Sequence, residues 1–331
     1  MKKITLAFIL LATLTTSALA EGPDPVKLRF SSLGVLPVSL PFLTGEVQNC
    51  TDQAITATVE LAAPETWKLH KNSLTLTLEP KARVPFAVKL ESGRNASANA
   101  YPVTAKVTVS GKSYSFAQQV PVTSAPYYKV TADGKFDDWK ESIPVSFTAK
   151  SGKTTLSTHW NRRTFSLLFA VEEEKLVRQG EAEAIDAVQF AIAPVEGKER
   201  FEYLVVATKE GAQAYQLVDP DTTPETIAQK RALKGLETDA VDVVVTRKEG
   251  VTYYECNVSF SKIRDYVRPT EGREFRLGYI VHDADKKDVR QWSVFMKKFD
   301  KKPNTFAHWL GETSATLYDG RTKWGMCSSR F

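Results

Sequence analysis

The sequence predicts an all-β chain folded as two β-sandwich domains. Three observations predict it. Short runs of alternating apolar and polar residues recur along most of the chain, as in Leu74-Thr75-Leu76-Thr77-Leu78 and Val103-Thr104-Ala105-Lys106-Val107-Thr108-Val109. Turn-forming Gly, Pro, Asn and Asp separate these runs at roughly 8–12 residues, a sandwich spacing. A chain of 331 residues is also long enough to bury two separate cores.

The first segment, residues 1–20, is expected to be a secretion signal rather than part of either domain. Met1-Lys2-Lys3 is a basic head, Ile4 to Leu14 is mostly apolar, and Ala18-Leu19-Ala20 is a small-x-small cleavage pattern. The apolar run is shorter than the roughly 20 residues of a membrane span. No Cys follows the cleavage pattern, so a bacterial-type lipid anchor is not expected. The mature chain is expected in a secreted or periplasmic location, without a transmembrane segment.

Residues 21–124 form the first expected sandwich. Its strands are read at Ala54 to Leu61, Ser73 to Leu78, Val84 to Leu90, Tyr101 to Val109 and Ser113 to Val120. Asn49-Cys50-Thr51-Asp52 fits a hairpin turn, and Pro64-Glu65-Thr66-Trp67 begins a further strand. The pattern looks like the immunoglobulin-like modules that flank carbohydrate-active domains in secreted proteins.

Residues 125–319 form the second expected sandwich, and its opening stretch is Asp133-Gly134-Lys135-Phe136-Asp137-Asp138-Trp139. Asp-Gly signals a turn because Gly tolerates positive φ. Asp137 is expected to cap a one-turn helix, and Trp139 to plug the core with its N–H bonded. Strands are then read at Thr155 to Trp160 and Thr164 to Val171, a hairpin across Asn161-Arg162-Arg163. Others follow at Asp186 to Ile192, Phe201 to Thr208, Val241 to Thr246, Thr252 to Phe260, Phe275 to His282 and Ala315 to Tyr318. Thr223-Pro224-Glu225 to Leu233 reads as a short helix with Thr223 at its cap. Residues 320–331 have no clear period and are left as a C-terminal tail.

Charge excludes one class of function. Loss of the signal removes Lys2 and Lys3 and lowers the formal net charge from +5 to +3, with acidic and basic residues interspersed. That distribution argues against a nucleic-acid groove. Cys50, Cys256 and Cys327 allow one disulfide in any of three pairings and match no zinc spacing. Cys256 alternates with Tyr254, Val258 and Phe260 on one face, the pattern of a buried, inert thiol.

Six motifs in order carry a family resemblance over roughly residues 130–318. They are Asp133-Gly134-x-x-Asp137-x-Trp139, the hairpin from His159 to Leu167, Ile185-Asp186-Ala187-Val188-Gln189-Phe190, the strand from Glu255 to Ile263, the acidic loop Asp283-Ala284-Asp285, and Phe306-Ala307-His308-Trp309-Leu310-Gly311. Together they resemble the family 9 carbohydrate-binding modules, non-catalytic β-sandwiches of secreted polysaccharide-degrading systems. The resemblance implies a jelly-roll-type sandwich with long loops and a saccharide partner held at its loop end. It implies Gln189, Arg290, Phe306 and Trp309 as sugar-contacting residues, and Asp133, Gly134, Asp137, Trp139 and Trp160 as structural ones. Three positions depart from the family: Glu181-Ala182-Glu183-Ala184 replaces an expected Trp, Gln189 stands where a Glu is expected, and Leu204 stands at or near an expected Arg.

The chemistry suits that partner. Pyranose rings offer apolar C–H faces to aromatic rings, and rims of hydroxyls to planar donors and acceptors. Asp283, Asp285 and Asp288 either ligate a structural Ca²⁺ or form a solvated turn; no other cofactor is expected. No Gly-x-Ser-x-Gly, His-Glu-x-x-His or phosphate loop occurs, and no carboxylate pair stands in a glycosidase motif, so the chain is not expected to be an enzyme. Two alternatives to sugar binding are a structural or adhesion module of the same fold and a haem-binding relative using His308 and Met296.

Overall fold

The computed structural model describes residues 24–149, 152–182, 185–196, 199–223, 226, 233–284, 288–292 and 322–327. The expected signal at 1–20, most of the expected helix at 223–233 and the expected strand at 315–318 lie outside the described residues. Thr223 nevertheless accepts the Thr226 N–H at 3.2 Å, the bond its capping role requires.

The first sandwich contains β1 (Val26–Phe30), β2 (Phe42–Asn49), β3 (Ile55–Ala62), β4 (Lys68–Leu69), β5 (Ser73–Leu78), β6 (Arg83–Ser92), β7 (Tyr101–Val109) and β8 (Lys112–Val120). Two antiparallel four-stranded sheets, ordered β1-β2-β6-β4 and β5-β3-β7-β8, share one core. Phe30, Val47 and Leu90 enter it from one sheet, and Val59, Leu78 and Val107 from the other. Asn49 to Asp52 is not a hairpin turn, because β2 and β3 belong to different sheets. Asn49 makes that crossing possible. Its buried amide nitrogen donates to the carbonyls of Gln53, Leu78 and Glu79, while its oxygen accepts the Thr51 N–H.

The second sandwich contains β9 (Ser124–Pro126), β10 (Val145–Ala149), β11 (Gly152–Trp160), β12 (Thr164–Glu172), β13 (Ala187–Ala193), β14 (Phe201–Thr208), β15 (Gly211–Val218), β16 (Val241–Lys248), β17 (Val251–Ser259), β18 (Glu274–Asp283), β19 (Asp288–Trp292) and β20 (Thr322–Cys327). One sheet has five strands in the order β10-β11-β12-β17-β16. The facing sheet runs β15-β14-β13-β18-β20-β9, with β19 also paired to β18. Phe165, Phe169 and Tyr254 of the first pack against Phe190, Phe275 and Tyr279 of the second. The expected β11–β12 hairpin is present, in register from Thr154↔Val171 to Trp160↔Phe165.

The stretch expected as a tail supplies β20 instead. It pairs antiparallel with β18 and parallel with β9, placing Trp324 in the core with its N–H on the Thr158 hydroxyl at 2.9 Å. Alternation could not reveal this strand, because Trp324, Gly325 and Met326 are all buried. Trp160 is buried as well and donates to the Cys327 carbonyl at 2.8 Å. Cys50, Cys256 and Cys327 form no disulfide with one another, and Cys256 is fully buried within β17, where burial pushes its thiol up.

The opening stretch folds back onto the outer side of the five-stranded sheet. Trp139 is buried, yet not between the sheets: it packs with Val130 and Leu168 in a satellite cluster backed by Phe136 and Tyr253. Its indole N–H donates to Glu255 Oε1 at 3.0 Å, and the Gly134 N–H donates to Glu255 Oε2 at 2.6 Å. Gly134 has φ +78°, and a Cβ there would stand 3.0 Å from Thr246 Cγ2, so both conformation and space require glycine. Asp133 accepts the Lys135 N–H at 3.0 Å and tightens the turn. Asp137 does not cap the one-turn helix. It lies inside that turn with an exposed side chain, 2.6 Å from Lys140 Nζ, because Phe136 occupies the capping position.

Trp139→Ala is expected to destabilise the protein by about 3–5 kcal/mol in urea unfolding, the usual cost of a large buried truncation. Glu255→Gln should cost about 1–3 kcal/mol, since its amide nitrogen must face one of two N–H donors. Unfolding midpoints equal to the parent's would remove the clasp from the stability of this domain.

Candidate functional site

The outer face of the seven-stranded sheet carries a polar array in an apolar setting. Along β13, Val188, Phe190 and Ile192 enter the main core, so Gln189 points to the opposite face. There it stands between Leu204 of β14 and Ile280 of β18 in register. Its amide nitrogen donates to Glu202 Oε1 at 2.5 Å, and its oxygen faces His282 Nε2 at 3.0 Å. Arg200 Nε donates to the other Glu202 oxygen at 3.3 Å. Imidazole, amide, carboxylate and guanidinium thus cross three strands as one chain of buried groups. A buried carboxylate with a charged donor and an amide donor is well matched.

A second buried polar group lies where β12 leaves the five-stranded sheet. The Glu173 side chain has no exposed surface. Its Oε1 is 3.4 Å from Arg247 Nη1, and among the described residues its Oε2 has no hydrogen-bond partner. Arg247 is held by the Glu173 and Glu174 carbonyls, each 2.8 Å from Nη2, and by the Thr252 hydroxyl, 2.9 Å from Nη1. Asp186, fully buried, accepts the Val177 N–H at 2.5 Å and the Ala284 N–H at 2.7 Å, stapling two loops together. Burial raises the Glu173 carboxyl to about 8, and the charges of Asp186 and Asp283 add to the rise; Thr252 and Arg247 oppose it. Glu173 is therefore largely protonated at neutral pH.

The expected sugar residues are distributed as follows. Gln189 lies in the middle of a strand on a sheet face, not at the loop end, and both of its amide atoms are engaged by neighbours. Arg290 lies on β19 opposite Val281. Phe306 and Trp309 lie outside the described residues, as do Asp285, Met296 and His308. Asp283 is buried at the end of β18, in register with Asp288. Among the described residues no three His, Cys, Asp or Glu side chains have the geometry to hold a metal ion. Leu204, near which an Arg was expected, is flanked by the charged pair Arg200 and Glu202 instead.

No motif in the sequence singles out Glu202, Arg200, His282 or Arg247, and the acidic run Glu172-Glu173-Glu174, whose composition reads as a solvated loop, instead buries the Glu173 side chain. The signal was present for Glu202: it is a lone charge in the apolar run Phe201-Glu202-Tyr203-Leu204-Val205-Val206. A carboxylate in such a run must be buried and must have a partner.

Residues 45–110 match the family described as NPCBM-associated, NEW3 domain of alpha-galactosidase. No curated protein matches the sequence. Among solved structures, the chain is similar to a family 9 carbohydrate-binding module from Caldicellulosiruptor kristjanssonii in complex with cellotriose. The identity is 11%, over 62% of this chain and 93% of that one, with a TM-score of 0.41. The same module in complex with glucose matches at 11% identity over 61% and 94%, with a TM-score of 0.40. A Porphyromonas gingivalis W83 protein of unknown function matches at 13% identity over 81% and 96%, with a TM-score of 0.24.

The Glu173 carboxyl yields a pH prediction. Its folded value, about 8, lies above the usual 4.5, so the folded state binds the proton more tightly. Its contribution to stability is full below pH 4.5 and is lost as pH rises towards 8. Unfolding free energy should fall by an amount on the order of a few kcal/mol across that window. Glu173→Gln should flatten this part of the profile; an identical slope in the variant would assign the dependence to other groups.

Proposed function

We propose that this chain is a secreted or periplasmic, non-catalytic carbohydrate-binding protein that serves polysaccharide breakdown. The observation that carries the reading is the match of residues 45–110 to a module described as belonging to alpha-galactosidase, an enzyme that acts on glycans. The six ordered motifs of the second sandwich support it, since they resemble a family of non-catalytic sugar-binding modules.

The sugar contacts in this reading are Arg290, whose planar fork spans adjacent hydroxyls, and Phe306 or Trp309, which carries a C–H face. Gln189 completes the set that the family resemblance implies, and its neighbours Glu202 and His282 fix which way its amide points.

One observation favours a second reading, a structural or adhesion module with no sugar ligand. Gln189 is fully buried and its amide nitrogen and oxygen are both bonded within the protein. Such an amide specifies the packing of a sheet face as well as it would serve a ligand.

Sedimentation with insoluble polysaccharides, a glycan array and calorimetric titration of the hits discriminate the two. Binding is expected without release of reducing ends. Arg290→Ala combined with Trp309→Ala should weaken the hit by about 1–3 kcal/mol or more, by analogy with loss of a stacking partner in other ligands. Unchanged affinity in that variant would place the sugar elsewhere, and no glycan binding at all would leave the structural reading.

A further inference from the structure

One end of the second sandwich, at the β11–β12 turn, holds a cleft that the reading above leaves unused. It measures about 320 Å³ and lies between the β11–β12 turn and the one-turn helix Phe260–Ile263 that follows β17. Arg162 and Arg163 line it from the turn, and Arg264 lines it from the end of the helix. Ser259 and Ser261, whose hydroxyls are 2.8 Å apart, line it together with Phe260 and Pro269. Among the described residues no carboxylate lines it.

Two features make this more than a basic surface. The backbone that carries the arginines is fixed. Asn161 Oδ1 accepts the N–H groups of Arg163 and Thr164 at 2.7 and 3.1 Å, and the Phe260 N–H ties the Arg163 carbonyl to the start of the helix at 2.8 Å. The guanidiniums themselves are uncommitted: among the described residues, none of the three forms an ion pair. The neighbouring acid Asp239 is taken by Lys262, at 2.9 Å. Three arginines line this one cleft, and an oxyanion bound there can accept paired N–H bonds from their guanidiniums. The two hydroxyls add donors beside it.

We propose that this cleft binds the oxyanion groups, carboxylate or sulfate ester, of an acidic glycan. The proposal rests on the carbohydrate-binding reading and narrows its ligand class, and it adds three residues that the reading does not use, Arg162, Arg163 and Arg264. A volume of about 320 Å³ admits a single sugar unit whose charged group meets the arginines.

The test uses the full mature chain with three probes: oligogalacturonate, a sulfated galactan and an uncharged galactan of similar length. Both acidic glycans should bind more tightly than the neutral one, with affinity falling as salt rises. Arg163→Ala with Arg264→Ala should weaken acidic binding on the order of tenfold or more and leave neutral binding unchanged. Arg163→Lys should recover only part of the loss, since the ammonium keeps charge without the fork. Lys112→Ala, an exposed control on the first sandwich, should change nothing. Preference for oligogalacturonate over the sulfated galactan would assign the cleft to carboxylates, and the reverse to sulfate esters.

Equal binding of acidic and neutral glycans, or equal losses in the Lys112 and arginine variants, would overturn the inference and leave the carbohydrate reading standing. Inorganic sulfate competing as tightly as the acidic glycan on a molar basis would overturn it as a glycan subsite. Failure of all three glycans would overturn the inference, and failure across the glycan array as well would overturn the reading beneath it.

Discussion

The buried carboxylate of Glu255 is the constraint on which the second domain turns. It sits on the outer side of the five-stranded sheet and receives two donors from one short stretch, the Trp139 indole and the Gly134 amide. Burial raises its carboxyl above the usual range, while those two donors pull it down. Satisfying one carboxylate thereby places a turn, a one-turn helix and an indole ring over a sheet face that water would otherwise reach. The same face receives a second tie through Asn257, whose amide reaches the Val130 carbonyl at 3.4 Å.

The joint between the sandwiches follows the same logic of obligatory backbone pairing. The Thr123 N–H donates to Leu33 in the first sandwich, and its carbonyl accepts from Gly325 in the second, each at 2.9 Å. Asn99 reaches across as well, donating to the Val122 and Pro144 carbonyls at 2.9 and 2.8 Å. The connecting chain is therefore not a free tether. It becomes β9, one strand of the second domain's own sheet, held there by β20 from the far end of the sequence.

This arrangement assigns different surfaces to different chemistry. One outer face is closed by the clasp, and the opposite outer face carries the chain from His282 through Gln189 and Glu202 to Arg200. The end of the sheet where β11 and β17 finish carries a cleft lined by three arginines, none of them in an ion pair among the described residues. Main-core packing is shared by all of these, since Phe165, Phe169 and Tyr254 support the strands from which each group projects.

The sequence by itself determined the fold class and most of the strands, because period-2 alternation records a strand with one wet and one dry face. Ser73–Leu78 and Tyr101–Val109 were read to the residue on that basis. It also determined that Trp139 and Cys256 would be buried, from their places in apolar patterns. Tertiary structure alone decided the rest. β13 and β14 are buried on both faces, so alternation could not say which way Gln189 points or that Glu202 would meet it. Strand β20 carried no period for the same reason. Asn49 looked like a turn residue and is one, but only the assignment of β2 and β3 to separate sheets made that turn a crossing. The groups that meet at Gln189 come from three strands, with His282 standing 93 residues from its partner. Local pattern reports whether a side chain is wet or dry; which dry polar groups meet is set by strand order and register.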